Sequence, residues 1–377
     1  MNLTFIIAAF IATAIPLAVL FTIFKLDLYS TGDFRFVFFS FLWGGLAYLA
    51  AAKINVAMLD LGWVTKTQML QLTAPPTEEF LKSLILFYMI RRSKFTYFVD
   101  AVIYGFSIGI GFAIFENYEY LLGHSDTALS VAVGRVLSTN LIHASSSATI
   151  GIGLGLVRFQ RGLGKILYSL ASYTVAILFH LGFNNLVTRL NSGLLLLYAA
   201  AVGFSGTMFI VAVIRRGLKE EKRWIEEKLG MIDRVTASEA AIVNRWKDAK
   251  AILEPLNLHF GDRKAAQIEK FLLAQARLGI LRKTLEKIPD EKTRNSVRAE
   301  MAEVRQEMDQ ARKDVGTYCM IYVRDIFPEN SNVLWGKLES AVETSRPTPA
   351  GGGMWAALEK QTQTTGKVEQ EFLEKKL

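Results

Sequence analysis

The sequence predicts an all-α membrane protein, a polytopic bundle of about seven transmembrane helices followed by a cytoplasmic α-helical domain. Charge is unevenly distributed: residues 1–214 contain 13 Lys and Arg and 9 Asp and Glu, while residues 215–377 contain 30 and 26. Four stretches of 22 residues in the first part have no charged side chain, and about 20 apolar residues form a helix that crosses a bilayer. We therefore expect a transmembrane domain at 1–214, a cytoplasmic helical domain at 215–344 and a flexible tail at 345–377.

Six spans follow directly from composition. In chain order they are 3–24, 36–52, 101–122, 136–157, 166–187 and 193–214. A seventh, 80–90, is too short to cross the membrane unless it extends back through Glu78 and Glu79 to Pro75 and Pro76. We expect this helix to begin at membrane depth, after an interfacial or re-entrant piece at Met69–Thr73.

Basic residues indicate the orientation in the membrane. With 80–90 counted in chain order as the third of seven spans, the loops after the first, third, fifth and seventh spans contain ten Lys and Arg, and the other loops contain four. Because basic residues concentrate in cytoplasmic loops, we expect an integral protein of the cell (plasma) membrane with its N-terminus outside and its C-terminal domain in the cytoplasm. Arg135, near the outer surface, is expected to snorkel or to pair with Asp126 or Glu119.

Beyond the spans, helical periodicity continues in polar surroundings. We expect a helix at 218–229 and, further on, two long helices at 263–288 and from Asp290 to about Phe327, because their apolar residues recur at spacings of three and four. Such helices form a hairpin or a short coiled coil. This pair suits a solvated bundle or an arm that forms a homo-oligomer.

Composition also excludes several classes of function. The net charge of +8 divides evenly between the two parts, so neither is a basic nucleic-acid arm, and no nucleic-acid partner is expected. The single cysteine, Cys319, excludes an internal disulfide framework and a cysteine-based zinc cluster. Of only four histidines, His143 and His180 fall within expected spans.

Polar side chains inside the expected spans are functional candidates, because an ionisable group at the bilayer centre costs about 3 kcal/mol or more. Counted from the charged flank of each helix at about 1.5 Å per residue, Glu79, Glu116, His143 and His180 lie about 18 to 24 Å deep. Four spans would thus bring carboxylates and imidazoles to one layer. The whole set is Glu78, Glu79, Lys82, Glu116, Asn117, Asn140, His143, His180 and Asn184.

This set suits a hydrolytic zinc site. Zinc takes His nitrogen and Glu oxygen, with three protein ligands and a water whose pKa falls towards about 7. The ligands expected here are Glu116, His143 and His180. Glu79 is then the general base, Glu78 a supporting carboxylate or alternative base, and Asn184 a donor to the oxyanion.

Two pairs in the set also have a purely structural interpretation. Glu78 and Lys82 are four residues apart on a helix and can neutralise each other. His180 and Asn184 have the same spacing and can form a hydrogen-bonded pair between helices. Both interpretations remain open from the sequence alone.

The same residues resemble the motifs of one family. Glu78-Glu79-Phe-Leu-Lys82 is similar to the E-E-x-x-K signature of PrsW-type intramembrane proteases. Phe112-Ala-Ile-Phe-Glu116-Asn117 resembles their F-x-x-x-E-N segment, and His143 and His180-x-x-x-Asn184 fall where their later histidine motifs lie. The wider relatives are the CAAX prenyl proteases and bacteriocin-processing enzymes, and the resemblance covers roughly residues 70–187.

The resemblance implies peptide-bond hydrolysis in or beside the membrane, with a membrane-anchored protein as substrate. A metal-free mechanism, in which a glutamate activates water and His and Asn stabilise the oxyanion, would use the same residues as the zinc mechanism. Two other functions stay open: a proton or cation transporter that uses the same Glu and His residues, and a non-enzymatic membrane scaffold.

Overall fold

The structure, a computed structural model, describes residues 3–29, 32–92, 95, 97–187, 192–228, 243, 254, 256–258, 260–317 and 319–320. Helices dominate these residues and no strand occurs among them, which confirms the all-α fold class. The α-helices are α1 (Leu3–Phe24), α2 (Phe34–Asp60), α3 (Lys66–Gln68), α4 (Ala74–Met89), α5 (Phe98–Gly123), α6 (Ala128–Leu137), α7 (Thr139–Val157), α8 (Leu163–Val187), α9 (Ser192–Lys228), α10 (Asp262–Lys287) and α11 (Glu291–Val315).

The protein is an integral membrane protein, and six helical segments of the described chain are long and apolar enough to cross a bilayer. They are Leu3–Phe24, Phe34–Asp60, Phe98–Gly123, Ser125–Val157, Leu163–Val187 and Leu197–Lys228. The expected count of seven is not confirmed, because α4 has only 16 residues. Residues 66–73, which we call the lead-in segment, continue into α4 through a π-helical turn at Met69–Thr73.

α5 lies at the centre of the bundle, with α2 and α7 packed against it. Small residues allow the helices to approach closely. A side-chain carbon on Gly109 would overlap the carbonyl oxygen of His143, and one on Gly105 would overlap that of Ser147. Gly44 of α2 meets the α5 backbone in the same way. These contacts fix the α5 side chains relative to His143.

The span expected at 136–157 is interrupted. α6 and α7 meet at Ser138, which has φ −130° and ψ −82° and belongs to neither helix. Its hydroxyl donates a hydrogen bond to the carbonyl of Gly134 at 2.6 Å, a type of bond that bends helices. The break directs α6 against α1.

The polar helices differ from the sequence prediction in two respects. Residues 218–228 are helical as expected, but they continue α9 without a break, and Gly217 within it packs against Val99 and Phe98. The second long helix ends at Val315 instead of near residue 327, because the following glycine has φ 85°. The tail at 345–377 lies outside the described residues, and the three-domain division remains a prediction.

Candidate active site

Four helices bring the predicted polar side chains to one cavity of about 710 Å³. α4 carries two glutamates and a lysine, α5 a glutamate and an asparagine, α7 a histidine, and α8 a histidine and an asparagine. The five predicted residues that line the cavity are Glu78, Glu116, His143, His180 and Asn184. The layer expected from helix depth is therefore one connected site.

Glu79 and Lys82 form a buried ion pair within the site. Lys82 Nζ lies 2.6 Å from Glu79 Oε1, and both side chains are fully buried. Glu79 also accepts a hydrogen bond from His180 Nδ1 at 2.9 Å and a longer one from the Ser147 hydroxyl at 3.5 Å. The sequence allowed a Glu78–Lys82 pair, but the lysine bonds to Glu79 because that carboxylate points into the bundle.

His143 connects the two sides of the site. Its Nε2 lies 2.8 Å from Glu116 Oε2, and its Nδ1 lies 3.2 Å from Lys82 Nζ. Because a carboxylate only accepts and an ammonium only donates, these bonds place the ring proton on Nε2. The His143 ring also meets the His180 ring edge to face, with centroids 4.8 Å apart.

Arg135, from the short helix α6, bonds to two further residues of the site. One guanidinium nitrogen lies 2.5 Å from Glu116 Oε2, and Nε donates to Asn117 Oδ1 at 2.8 Å. The expectation that Arg135 pairs with Asp126 or Glu119 is therefore wrong. Arg135 lies in the last turn of α6, just before the helix break at Ser138 and outside the span expected at 136–157.

Among the described residues, one group of side chains could hold a metal ion. Ligand atoms of Glu78, His143 and His180 all lie within 4.8 Å of one another. One carboxylate and two imidazoles are donors that zinc accepts, so this set fits the ion. Glu116, the ligand predicted from the sequence, pairs with His143 and Arg135, and its role as a ligand remains a prediction.

The orientation of His180 suits a ligand. Its Nδ1 donates to Glu79, which leaves Nε2 directed towards Glu78, 3.9 Å from Oε2. A carboxylate behind a metal-binding histidine is a recurrent arrangement that fixes the tautomer and the ring plane. Glu116 stands behind His143 in a similar way. Metal ligation through His143 Nδ1 would replace its hydrogen bond from Lys82.

Asn184 faces the cavity but does not bond to His180 as the pairing interpretation expected. Its Nδ2 donates to the backbone carbonyl of Leu70 at 3.0 Å, and a carboxamide has a second N–H. The next residue, Asn185, donates to the carbonyl of Gln71 at 3.0 Å. Sequence reasoning missed Asn185, although two consecutive asparagines near the end of an apolar span are an unusual polar signal.

Comparison with known proteins agrees with the motifs. Residues 32–214 match the PrsW family intramembrane metalloproteases, which confirms the resemblance stated from the sequence. A protein from Bacillus subtilis (strain 168), named Protease PrsW, is 31% identical over 116 residues, which are 30% of this chain and 52% of the relative. A protein of the same name from Geobacillus kaustophilus (strain HTA426) is 28% identical over 135 residues, 35% of this chain and 59% of the relative.

A third such protein, from Clostridioides difficile (strain 630), is 31% identical over 90 residues, 23% of this chain and 38% of the relative. The chain thus spans about half the length of the curated relatives that it matches. No solved structure matches the chain.

Proposed function

Since residues 32–214 match the PrsW family, we propose that the protein is an intramembrane protease that hydrolyses a peptide bond of a membrane-anchored protein. The observation that carries the proposal is the set of buried glutamates and histidines at a cavity inside an apolar bundle. Burying charged groups there is costly unless they are paired or used. The family match supplies the reaction class, and the site geometry supplies residues suited to it.

Glu78, His143 and His180 would hold a metal ion, for which we propose Zn²⁺. Bound zinc lowers the pKa of water towards about 7 and polarises a carbonyl group. Glu79 and Glu116 orient the two imidazoles by hydrogen bonds to His180 Nδ1 and His143 Nε2, the ring nitrogens that would not ligate the metal. Lys82 neutralises the charge of Glu79. The roles of these residues are part of the proposal.

The base was assigned from the sequence to Glu79 first and Glu78 second, and for a metal-free mechanism the contacts favour the second assignment. Glu79 is fully buried and already accepts hydrogen bonds from Lys82 and His180. Glu78 is the member of the pair that lines the cavity. In a metal-free mechanism Glu78 therefore takes the proton from water, and Glu79 positions His180.

Asn184 is the proposed donor to the oxyanion. It lines the cavity, and its hydrogen bond to Leu70 uses one of its two N–H groups. A fixed donor of this type stabilises the charge that develops on the carbonyl oxygen during hydrolysis. Lys82 and Asn117 support the site without facing the substrate: the first bonds to Glu79 and the second to Arg135.

The location and partners are proposed from the charge pattern. The N-terminus lies outside the plasma membrane, and α10 and α11 lie in the cytoplasm, because the more basic loops are on that side. The substrate is a membrane-anchored protein that reaches the cavity from the bilayer. The polar helices are a candidate homo-oligomer contact, which light scattering of the purified full chain measures directly.

The test is cleavage of a membrane-anchored reporter by the purified protein in lipid vesicles. Glu78→Gln, His143→Ala and His180→Ala should each abolish cleavage while circular dichroism and thermal unfolding show a folded protein. Glu119→Gln, which changes a carboxylate at the cavity edge that bonds to Tyr48, is the matched control and should retain cleavage. Undiminished cleavage by the Glu78 and His180 variants would show that these residues do not form the active site. Ion flux into vesicles without hydrolysis would favour a transporter.

A further inference from the structure

The start of α4 leaves two backbone carbonyl groups without helical donors. α4 has Pro75 and Pro76 in its first turn, and proline has no N–H. The carbonyl of Gln71 would bond to the N–H four or five residues later, and both of those positions are proline. The carbonyl of Leu70 lies five residues before Pro75. Residues 70 and 71 therefore need donors from elsewhere.

The π-helical turn removes the remaining helical donor. Ala74 N–H bonds to the carbonyl of Met69, five residues earlier. In a regular α-helix that N–H would bond to Leu70, four residues earlier. A π-helical turn inside an α-helix is rare and frequently occurs at a functional site. Here it directly precedes the helix that carries the paired glutamates.

Two consecutive asparagines of α8 supply the missing donors. Asn184 Nδ2 donates to the Leu70 carbonyl and Asn185 Nδ2 donates to the Gln71 carbonyl, each at 3.0 Å. Asn185 Nδ2 also donates to the Leu181 carbonyl at 2.9 Å. Both N–H groups of Asn185 are thus used, and none remains for a substrate.

We propose that Asn185, acting with Asn184, is a positioning residue that replaces the backbone donors absent at Pro75 and Pro76. The inference rests on the proposed protease function. The two bonds fix the beginning of α4 against α8, and the glutamates follow within one turn of the prolines. Since His180 lies on α8 and bonds to Glu79, the same helix holds both the start of α4 and its catalytic face.

The substrate cavity depends on the same contacts. Met69, Leu70 and Ala74 line the cavity together with Asn184. A shift of the lead-in segment would therefore change the cavity wall and the distance between Glu79 and His180 together. Asn185 acts through these groups and does not itself contact a substrate.

The experiment is a double-mutant cycle between Asn185→Ala and Pro75→Ala. Alanine at position 75 restores a backbone N–H that can bond to the Gln71 carbonyl, so the second substitution should compensate for the first. Asn185→Ala should lower kcat about tenfold, as expected when a partly buried carbonyl loses a hydrogen-bond donor, and change KM by less than about threefold. The Asn185→Ala/Pro75→Ala variant should recover kcat to within about threefold of Pro75→Ala.

Pro289→Ala is the matched control, because Pro289 lies in the connection between α10 and α11 and not in a helix of the site. It should leave the effect of Asn185→Ala unchanged. Thermal unfolding in detergent provides a second readout: Asn185→Ala should lower Tm, and Pro75→Ala should restore it in the double variant. Additive changes in Tm and kcat would overturn the proposal. If the wild type cleaves no substrate, the protease function fails, and the unfolding cycle alone still decides whether Asn185 replaces the missing donor.

Discussion

Lys82 is bonded to Glu79 three residues earlier on α4, at 2.6 Å, and neither side chain has any exposed surface. The same ammonium lies 3.2 Å from His143 Nδ1 and 4.6 Å from the centre of the Phe112 ring. One cation therefore contacts a carboxylate of α4, an imidazole of α7 and an aromatic face of α5. Its removal would affect three helices at once.

Lys82→Met should inactivate and destabilise the protein. The substitution leaves Glu79 as an unpaired buried carboxylate, which costs about 3 to 5 kcal/mol of the free energy of unfolding. Lys82→Met/Glu79→Gln removes both charges and should recover most of that stability without recovering activity. Chemical unfolding and reporter cleavage, measured on the same preparations, check both results. Equal stability of the single variant and the wild type would contradict the pairing.

The metal proposal predicts a stoichiometric ion. Elemental analysis of protein purified without chelator should give about one zinc per chain, and Glu78→Ala, His143→Ala and His180→Ala should each remove it, because each ligand is one of three. Glu119→Gln should retain the ion. A chelator should abolish cleavage, and added zinc should restore it. A metal-free preparation with full activity would establish the glutamate mechanism in place of the metal mechanism.

Arg135 should be required for efficient cleavage although it lies outside the motifs. Arg135→Leu leaves Glu116 and Asn117 without their guanidinium partner, and the loss of this partly buried charge pair should reduce kcat/KM about tenfold or more. Arg135→Lys keeps the charge but loses the forked guanidinium geometry, so its kcat/KM should lie between those of the wild type and Arg135→Leu. Wild-type kinetics in Arg135→Leu would show that the contact has no catalytic consequence.

Gly109 should not tolerate a side chain, because the α5–α7 contact has no room for one. Gly109→Ala should reduce cleavage and lower the free energy of unfolding by about 1 to 3 kcal/mol. Gly182→Ala on α8 is the control: a side-chain carbon there meets nothing within 4 Å, and alanine favours a helix over glycine by about 1 kcal/mol. In thermal unfolding, Gly109→Ala should therefore lower Tm and Gly182→Ala should raise it.

The spans and the layer of polar groups followed from the sequence because a bilayer imposes simple rules. Residues 3–24 coincide with α1, and counting along each helix from its charged end placed the glutamates and histidines at similar depths. The pairing within the layer did not follow. Depth gives a height and not a direction, so the spacing of four residues suggested Glu78 as the partner of Lys82, whereas the structure pairs Lys82 with Glu79.

Two departures have local causes that periodicity does not reveal. A break at Ser138, whose hydroxyl bonds to the preceding turn, divides α6 from α7, and Arg135 at the end of α6 pairs with Glu116. The asparagine contacts of the lead-in segment arise from a π-helical turn, which depends on a single shifted hydrogen bond. The helix break and the π-helical turn both lie next to the site, and such irregularities in helices frequently occur at functional sites.

α9 extends for 37 residues from the bundle to the polar helices, and no proline interrupts it. Ala199 near its beginning lines the cavity, and Glu220, Glu227 and Lys228 near its end form ion pairs with α10. These ends are about 43 Å apart along the helix axis. A continuous helix of this length couples the two ends mechanically, so a displacement of α10 would be transmitted along α9 to the wall of the cavity.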